Sequence, residues 1–160
     1  MKKNIHIGYD HFKSSSELNE IEKKLFERAK AARESAYAPY SDFLVGCAVL
    51  LENGEIYSGN NQENAAFPSG LCAERTALFW IGANFPDLKI KKIFIIGGPR
   101  KFSEKTPPIP PCGACRQSLM EYETKQNENI DVYFSNLNEE TFKVNSIKDL
   151  LPFYFNSTFL

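Results

Sequence analysis

The chain of 160 residues has only two histidines, one tryptophan and four cysteines, and its longest apolar runs fall well short of the ~20 residues that cross a bilayer. A membrane protein is therefore excluded as a reading. The opening Met1-Lys2-Lys3-Asn4-Ile5-His6-Ile7-Gly8 lacks the apolar core of a secretory leader, so the cytoplasm is the expected compartment. No lysine- or arginine-rich block exists, and 19 basic against 20 acidic side chains leave a net charge of -1. Such a balance argues against a phosphate-backbone partner and for a small, weakly charged ligand. Repeats and low-complexity segments are also missing. What is present is the ordinary globular mixture, 42% hydrophobic and 24% charged, in a length that suits a single domain over residues 1–160.

Apolar residues Leu18, Ile21, Leu25, Ala29 and Ala32 recur every three or four positions behind a capping-type Ser14-x-x-Glu17, which predicts an amphipathic helix from Ser14 to Ser35. Phe43 to Leu51 reads as a buried strand turning at Glu52-Asn53-Gly54-Glu55 into Ile56 to Gly59, a hairpin. Pro68-Ser69-Gly70 breaks the chain before a helix from Cys72 to Ala83, and Ile90 to Ile96 is a β-branched strand closed by Gly97-Gly98-Pro99. After a polar, proline-rich loop, Gly113 to Glu123 is helical, Ile130 to Phe134 and Thr141 to Val144 are strands, and Ser146 to Leu151 is a last helical turn. Alternating helices and strands after the hairpin predict an α/β fold, one sheet covered by helices on both faces.

Three of the four cysteines stand at two break-then-helix junctions. Cys112-Gly113-Ala114-Cys115 directly follows Pro110-Pro111, and Cys72 follows Pro68-Ser69-Gly70. Unpaired backbone N–H groups and the positive end of the helix dipole lower a thiol's pKa there, which favours the thiolate that binds zinc. Three thiolates with one position left open make a catalytic zinc site rather than a closed structural one. Neither His6 nor His11 lies near these motifs, and Cys47 sits in an apolar strand where an inert buried thiol is expected. Three thiolates leave the zinc site with a net charge of -1; Arg75, three residues beyond Cys72, is placed to offset it, and Arg116 and Gln117 are placed to donate to a sulfur.

A Cys-x-x-Cys alone is shared by redox and structural sites. Joined to Cys72-Ala73-Glu74 it matches the zinc-deaminase signature of a His or Cys, x-Glu, then Pro-Cys-x-x-Cys. Glu74 has a chemical reason to be there: a carboxylate that is not a ligand but lies beside a metal-activated water can shuttle protons from the water to the reacting ring and amine. Residues two apart diverge in a regular helix, so Cys72 and Glu74 converge only if Cys72 is the cap. As a surface acid in a first helical turn, Glu74 would merely favour the helix dipole.

The chain also resembles the small, homotetrameric cytidine deaminases from about Ala36 to its end. The resemblance is carried by Tyr37 to Gly46 (Tyr-Ala-Pro-Tyr-Ser-Asp-Phe-Leu-Val-Gly), Asn61 to Phe67, Cys72 to Ala77, Pro111 to Gln117 and Leu150-Leu151-Pro152. It implies a three-layer α/β/α sandwich on a mixed sheet of about five strands, and one zinc per chain. It further implies hydrolytic deamination of cytidine or deoxycytidine in pyrimidine salvage, with Glu74 as proton shuttle. Asn61 and Glu63 are implied to bind the ribose, Phe43 to pack at base and sugar, and the Ala73 N–H to meet the pyrimidine carbonyl. An aromatic residue of a neighbouring subunit is implied to stack on the base, Phe155 or its rival Phe153, so that a homotetramer completes its sites across subunits. Asn60 stands where the family often has cysteine, and Pro110 where serine commonly precedes Pro-Cys. Residues 1–16 and the loop from Arg100 to Pro108 look like additions. Two other enzyme readings are a deaminase of another amino-pyrimidine nucleoside, such as a nucleoside antibiotic, and a polynucleotide cytosine deaminase, which needs an electropositive groove. A zinc-stabilised interaction module is the non-enzyme reading, and it leaves Glu74 without a task.

Overall fold

The computed structural model describes residues 1–101 and 106–160. In chain order the elements are β1 (Asp10–Phe12), α1 (Glu20–Glu34), β2 (Phe43–Leu51), β3 (Ile56–Asn60), α2 (Ala73–Asn84), β4 (Ile90–Pro99), α3 (Gly113–Gln126), β5 (Asp131–Ser135) and β6 (Thr141–Val144). They form one six-stranded sheet in the order β1-β6-β5-β4-β2-β3. The β4–β5 pair is parallel, joined through α3, and every other pair is antiparallel, so the sheet is mixed. The sixth strand comes from the N-terminal extension, where Asp10, His11 and Phe12 pair with Lys143, Phe142 and Thr141.

Period-two alternation along the strands separates two cores. Ala48, Leu50, Phe94, Ile96 and Tyr133 face α1, where Leu25, Phe26 and Ala29 cover them. Cys47, Val49, Ile93, Ile95, Val132 and Phe134 face the other way, under α2 and α3. Each fully buried aliphatic side chain in these layers contributes about 1.5–3 kcal/mol. Close approach of the layers depends on two glycines. A Cβ at Gly46 would lie 2.0 Å from the Ala29 carbonyl oxygen of α1, and one at Gly59 would lie 2.7 Å from the Ala77 nitrogen of α2.

Helix α1 starts at Glu20 rather than Ser14, because Asn19 and Glu22 form a reciprocal capping box while Ser14 caps only a 3-10 turn over Ser15–Glu17. Strand β4 runs on through Gly97, Gly98 and Pro99, which pair with Val45, Leu44 and Phe43 instead of ending the strand. The last helical turn is a 3-10 turn over Ile147–Asp149.

Glu123 fastens α3 to the layer beneath it. Its buried carboxylate accepts from Ile130 N at 2.9 Å, Ile147 N at 3.0 Å and Ser146 Oγ at 2.5 Å. Replacing it by alanine strands three buried donors, so Glu123→Ala is expected to lower the unfolding free energy by about 3–4 kcal/mol in urea titration. A loss below about 1 kcal/mol would show that the donors find other partners.

Candidate active site

Cys72 and Cys112 are the N-cap residues of α2 and α3, each in extended backbone (φ -69°, ψ 156° and φ -67°, ψ 169°) with no side-chain capping bond. Their sulfurs are thus turned toward each other instead of onto their own helices. Cys72 Sγ lies 3.7 Å from Cys112 Sγ, Cys112 Sγ lies 3.5 Å from Cys115 Sγ, and all three fall within 4.8 Å of one another. Tetrahedral zinc with sulfur at about 2.3 Å sets sulfur–sulfur edges of about 3.8 Å, so the triangle fits one zinc ion.

Within this triangle Cys72 and Cys115 are pushed in opposite directions. Cys72 is drawn down to about 5 by the hydrogen bond from Cys115, opposed by burial and helped by Arg75 and Cys112. Cys115 moves the other way, its proton committed to Cys72 and its sulfur buried. Arg75 Nη2 donates to Cys72 Sγ at 3.6 Å, one helical turn along as the spacing requires. Arg116 and Gln117 take different partners from those the sequence suggested. Arg116 donates to the carbonyls of Pro111 (2.8 Å) and Leu150 (3.0 Å), and Gln117 donates to that of Phe155 (2.8 Å). Cys47 is fully buried, and burial, followed by the nearby Glu74 charge, pushes its thiol up, which keeps it protonated.

Because Cys72 is the cap, Glu74 emerges from the first helical turn on the same side as the sulfurs, and all but 4% of it is buried. Burial raises its carboxyl to about 6, the Cys72 charge adding to the effect and its own backbone N–H opposing it. A cavity of about 330 Å³ joins Cys72, Cys112, Ala73 and Glu74 to Phe43, Asn61 and Glu63, with Val45, Ile95 and Ile109 as apolar walls. Among the described residues, no lysine or arginine lines it. The Asn61 amide continues the sheet, accepting from Val45 N at 2.8 Å and donating to Phe43 O at 2.9 Å. Glu63 accepts from Tyr40 N, Ser41 N and Ser41 Oγ, with Ser41 Oγ first among the bonds that hold its pKa below the ordinary carboxylate value. Ser41 carried no signal of this in the sequence, where it is one small residue of a turn. An adjoining cleft of about 520 Å³ shares Ser41, Asn61, Glu63 and Cys72 and is bounded by Tyr40, Phe67 and Arg75. Phe155 lines neither cavity; 57% exposed, it stacks on Phe159, and Phe153 is 86% exposed.

Residues 19–128 match the model of the cytidine and deoxycytidylate deaminase zinc-binding region. The cytidine deaminase of Sporosarcina psychrophila is 40% identical over 132 residues, covering 81% of this chain and 87% of that protein. That of Halalkalibacterium halodurans is 37% identical over 128 residues, 80% of this chain and 89% of the relative. In three dimensions, the crystal structure of cytidine deaminase from Burkholderia pseudomallei aligns with a TM-score of 0.71 at 40% identity, over 83% of this chain and 98% of that one.

A buried carboxylate whose pKa is raised destabilises the fold wherever it is ionised. Its native state holds a proton that the unfolded state has already released, so stability falls as pH rises from the ordinary 4.5 through about 6 and then levels off. The difference corresponds to about 2 kcal/mol. In metal-free protein at pH 7.5, Glu74→Gln is therefore expected to be more stable than the parent by about 2 kcal/mol in urea, with the gap closing by about pH 4.5. Equal stabilities at pH 7.5 would show that the carboxylate is not desolvated.

Proposed function

The chain belongs to the cytidine and deoxycytidylate deaminase family, and from that membership we propose that it converts cytidine or deoxycytidine to the uridine counterpart. Water adds across the ring N3=C4 bond, its oxygen to C4 and a proton to N3, and the exocyclic C4–N4 bond then breaks to release ammonia. The observation that carries the reading is the buried Glu74 carboxylate at the wall of the cavity that Cys72 and Cys112 also line, beside three sulfurs close enough to share one ion. Zinc held by Cys72, Cys112 and Cys115 supplies the Lewis acidity that makes water a nucleophile near neutral pH.

The remaining work falls to the chain. Glu74, raised to about 6, is matched to taking a proton and giving it back near neutrality. It accepts the proton that the attacking water loses, delivers it to the ring nitrogen N3, and serves the departing amine in the same way. The Ala73 N–H, at the first position of α2, has no partner within its own helix and is available to the pyrimidine carbonyl oxygen. Phe43 packs against the base and sugar, while Asn61 and Glu63 serve the ribose hydroxyls. Arg75 offsets the thiolate charge at Cys72. Among the described residues the cavity lining has no lysine or arginine, and Arg75 on the adjoining cleft is taken by Cys72 Sγ, which supports an uncharged nucleoside rather than a nucleotide or a polynucleotide strand.

The reading extends to a homotetramer in which Phe155 reaches the base in a neighbouring subunit. It is supported by the aromatic residues of the tail, Phe153, Phe155 and Phe159, which remain largely exposed although Phe155 and Phe159 stack on each other. Free thiols throughout, three of them gathered as metal ligands, suit the reducing cytoplasm and a place in pyrimidine salvage.

Glu74→Gln is expected to keep about one zinc per chain and lose roughly 10²- to 10⁴-fold in kcat for cytidine, followed by ammonia release. Near-normal turnover would remove Glu74 from the chemistry. Phe155→Ala is expected to raise KM, and co-refolding it with inactive Glu74→Gln should bring back a population of sites with the parent KM, since one chain supplies the ring and the other the carboxylate. If mixtures show only the raised KM of Phe155→Ala, the site is not completed across subunits by Phe155.

A further inference from the structure

The turn before β2 carries more hydrogen bonds toward the cavity than a connecting loop needs. Glu63 Oε2 accepts from the backbone N–H groups of Tyr40 (2.9 Å) and Ser41 (3.3 Å), and Glu63 Oε1 accepts from Ser41 Oγ at 2.5 Å. Ser41 Oγ in turn accepts from Phe43 N at 3.1 Å. That incoming bond leaves the hydroxyl proton for the carboxylate. Between Ser41 and Phe43, Asp42 holds a left-handed backbone (φ 55°), and Arg100 pins it, donating Nε to Oδ1 at 2.7 Å and its backbone N–H to the Asp42 carbonyl at 2.9 Å. The hydroxyl therefore has little freedom to turn elsewhere.

A carboxylate offers about four acceptor positions, two on each oxygen. The turn takes both on Oε2 and one on Oε1. We propose that Ser41 is a positioning residue for the sugar end of the substrate, its hydroxyl fixing the Glu63 carboxylate so that one acceptor position, on Oε1, is left for a sugar hydroxyl. Through its bond from Phe43 N, the same hydroxyl sets the carboxylate in register with the start of the strand that carries the Phe43 ring. Ser41, Phe43, Asn61 and Glu63 all line the one cavity. An ionised carboxylate only accepts, so the vacant position selects a donor, which a sugar hydroxyl is and an ether oxygen is not. The inference rests on the reading of Glu63 as a sugar-binding carboxylate.

Steady-state kinetics with cytidine on the zinc-loaded enzyme test it through Ser41→Ala, Ser41→Thr, Glu63→Gln and the Ser41→Ala/Glu63→Gln double variant. Ser41→Ala is expected to raise KM roughly five- to tenfold with kcat within about twofold, because an interaction common to bound substrate and transition state is weakened. Ser41→Thr, which keeps the hydroxyl, is expected to stay close to the parent. In the Glu63→Gln background the alanine change is expected to add nothing, because its effect passes through the carboxylate. An unchanged KM in Ser41→Ala, or the same increment with and without Glu63, would overturn the inference while leaving Glu63 in place. An unchanged KM in Glu63→Gln alone would overturn the sugar-binding reading and the inference together.

Discussion

Three sulfurs from the heads of two different helices have to meet within the reach of one ion, and most of the architecture can be understood as serving that requirement. Helices α2 and α3 lie on the same face of the sheet, against strands β2, β4 and β5. Their caps, Cys72 and Cys112, close to 3.7 Å. The approach needs Gly59 beneath α2 and the Glu123 anchor beneath α3, because a shift of either helix by one ångström would open the triangle. Without metal the cluster is electrostatically costly: the half-buried Cys72 thiol, drawn down toward its thiolate, lies beside a carboxylate that burial already disfavours. Unpaired N–H groups at the two helix starts and Arg75 lower that cost. A divalent cation removes it, so metal binding and the stability of this corner are one equilibrium.

The cavity beside the cluster divides into an apolar part and a hydrogen-bonding part. Phe43, Val45, Ile95 and Ile109 exclude water from one side, and Asn61 and Glu63 present polar groups on the other. Asn61 is at once a strand-edge residue and a cavity residue, its amide standing in for the backbone of a neighbouring strand beside Phe43 and Val45. Placing the polar groups on the sheet edge and its preceding turn gives them rigidity that a free loop would lack. The chain belongs to the cytidine and deoxycytidylate deaminase family, and both of the relatives named above are cytidine deaminases.

Much of this was legible in the residues. The Cys72, Glu74 and Cys112-x-x-Cys115 spacings specify the metal corner, and the two-residue gap from Cys72 to Glu74 requires the cap position that the structure shows. Strand β2 coincides with its apolar run and β6 with the short strand expected from Thr141 to Val144. What was not legible depended on tertiary partners. Strand β1 is the polar-looking Asp10-His11-Phe12, a strand only because β6 offers an edge. Gly97-Gly98-Pro99 looks like a terminator, yet pairs because Phe43 and Leu44 lie alongside. Gln117 is close to Cys115 in sequence, but its amide is taken by the tail carbonyl of Phe155, a contact no local pattern encodes. The same holds for Arg116, whose guanidinium ties Pro111 to Leu150. Of the polar loop from Arg100 to Pro108, residues 102–105 lie outside the described residues.

The central claim is that Cys72, Cys112 and Cys115 hold one zinc and leave its fourth position to a small molecule. X-ray absorption at the zinc edge of the purified, metal-loaded protein tests this most directly. The account predicts about three sulfur neighbours at about 2.3 Å and one lighter neighbour at about 2.0 Å, with the lighter scatterer retained in Glu74→Gln. A shell of four sulfurs, or of fewer than three, would contradict it.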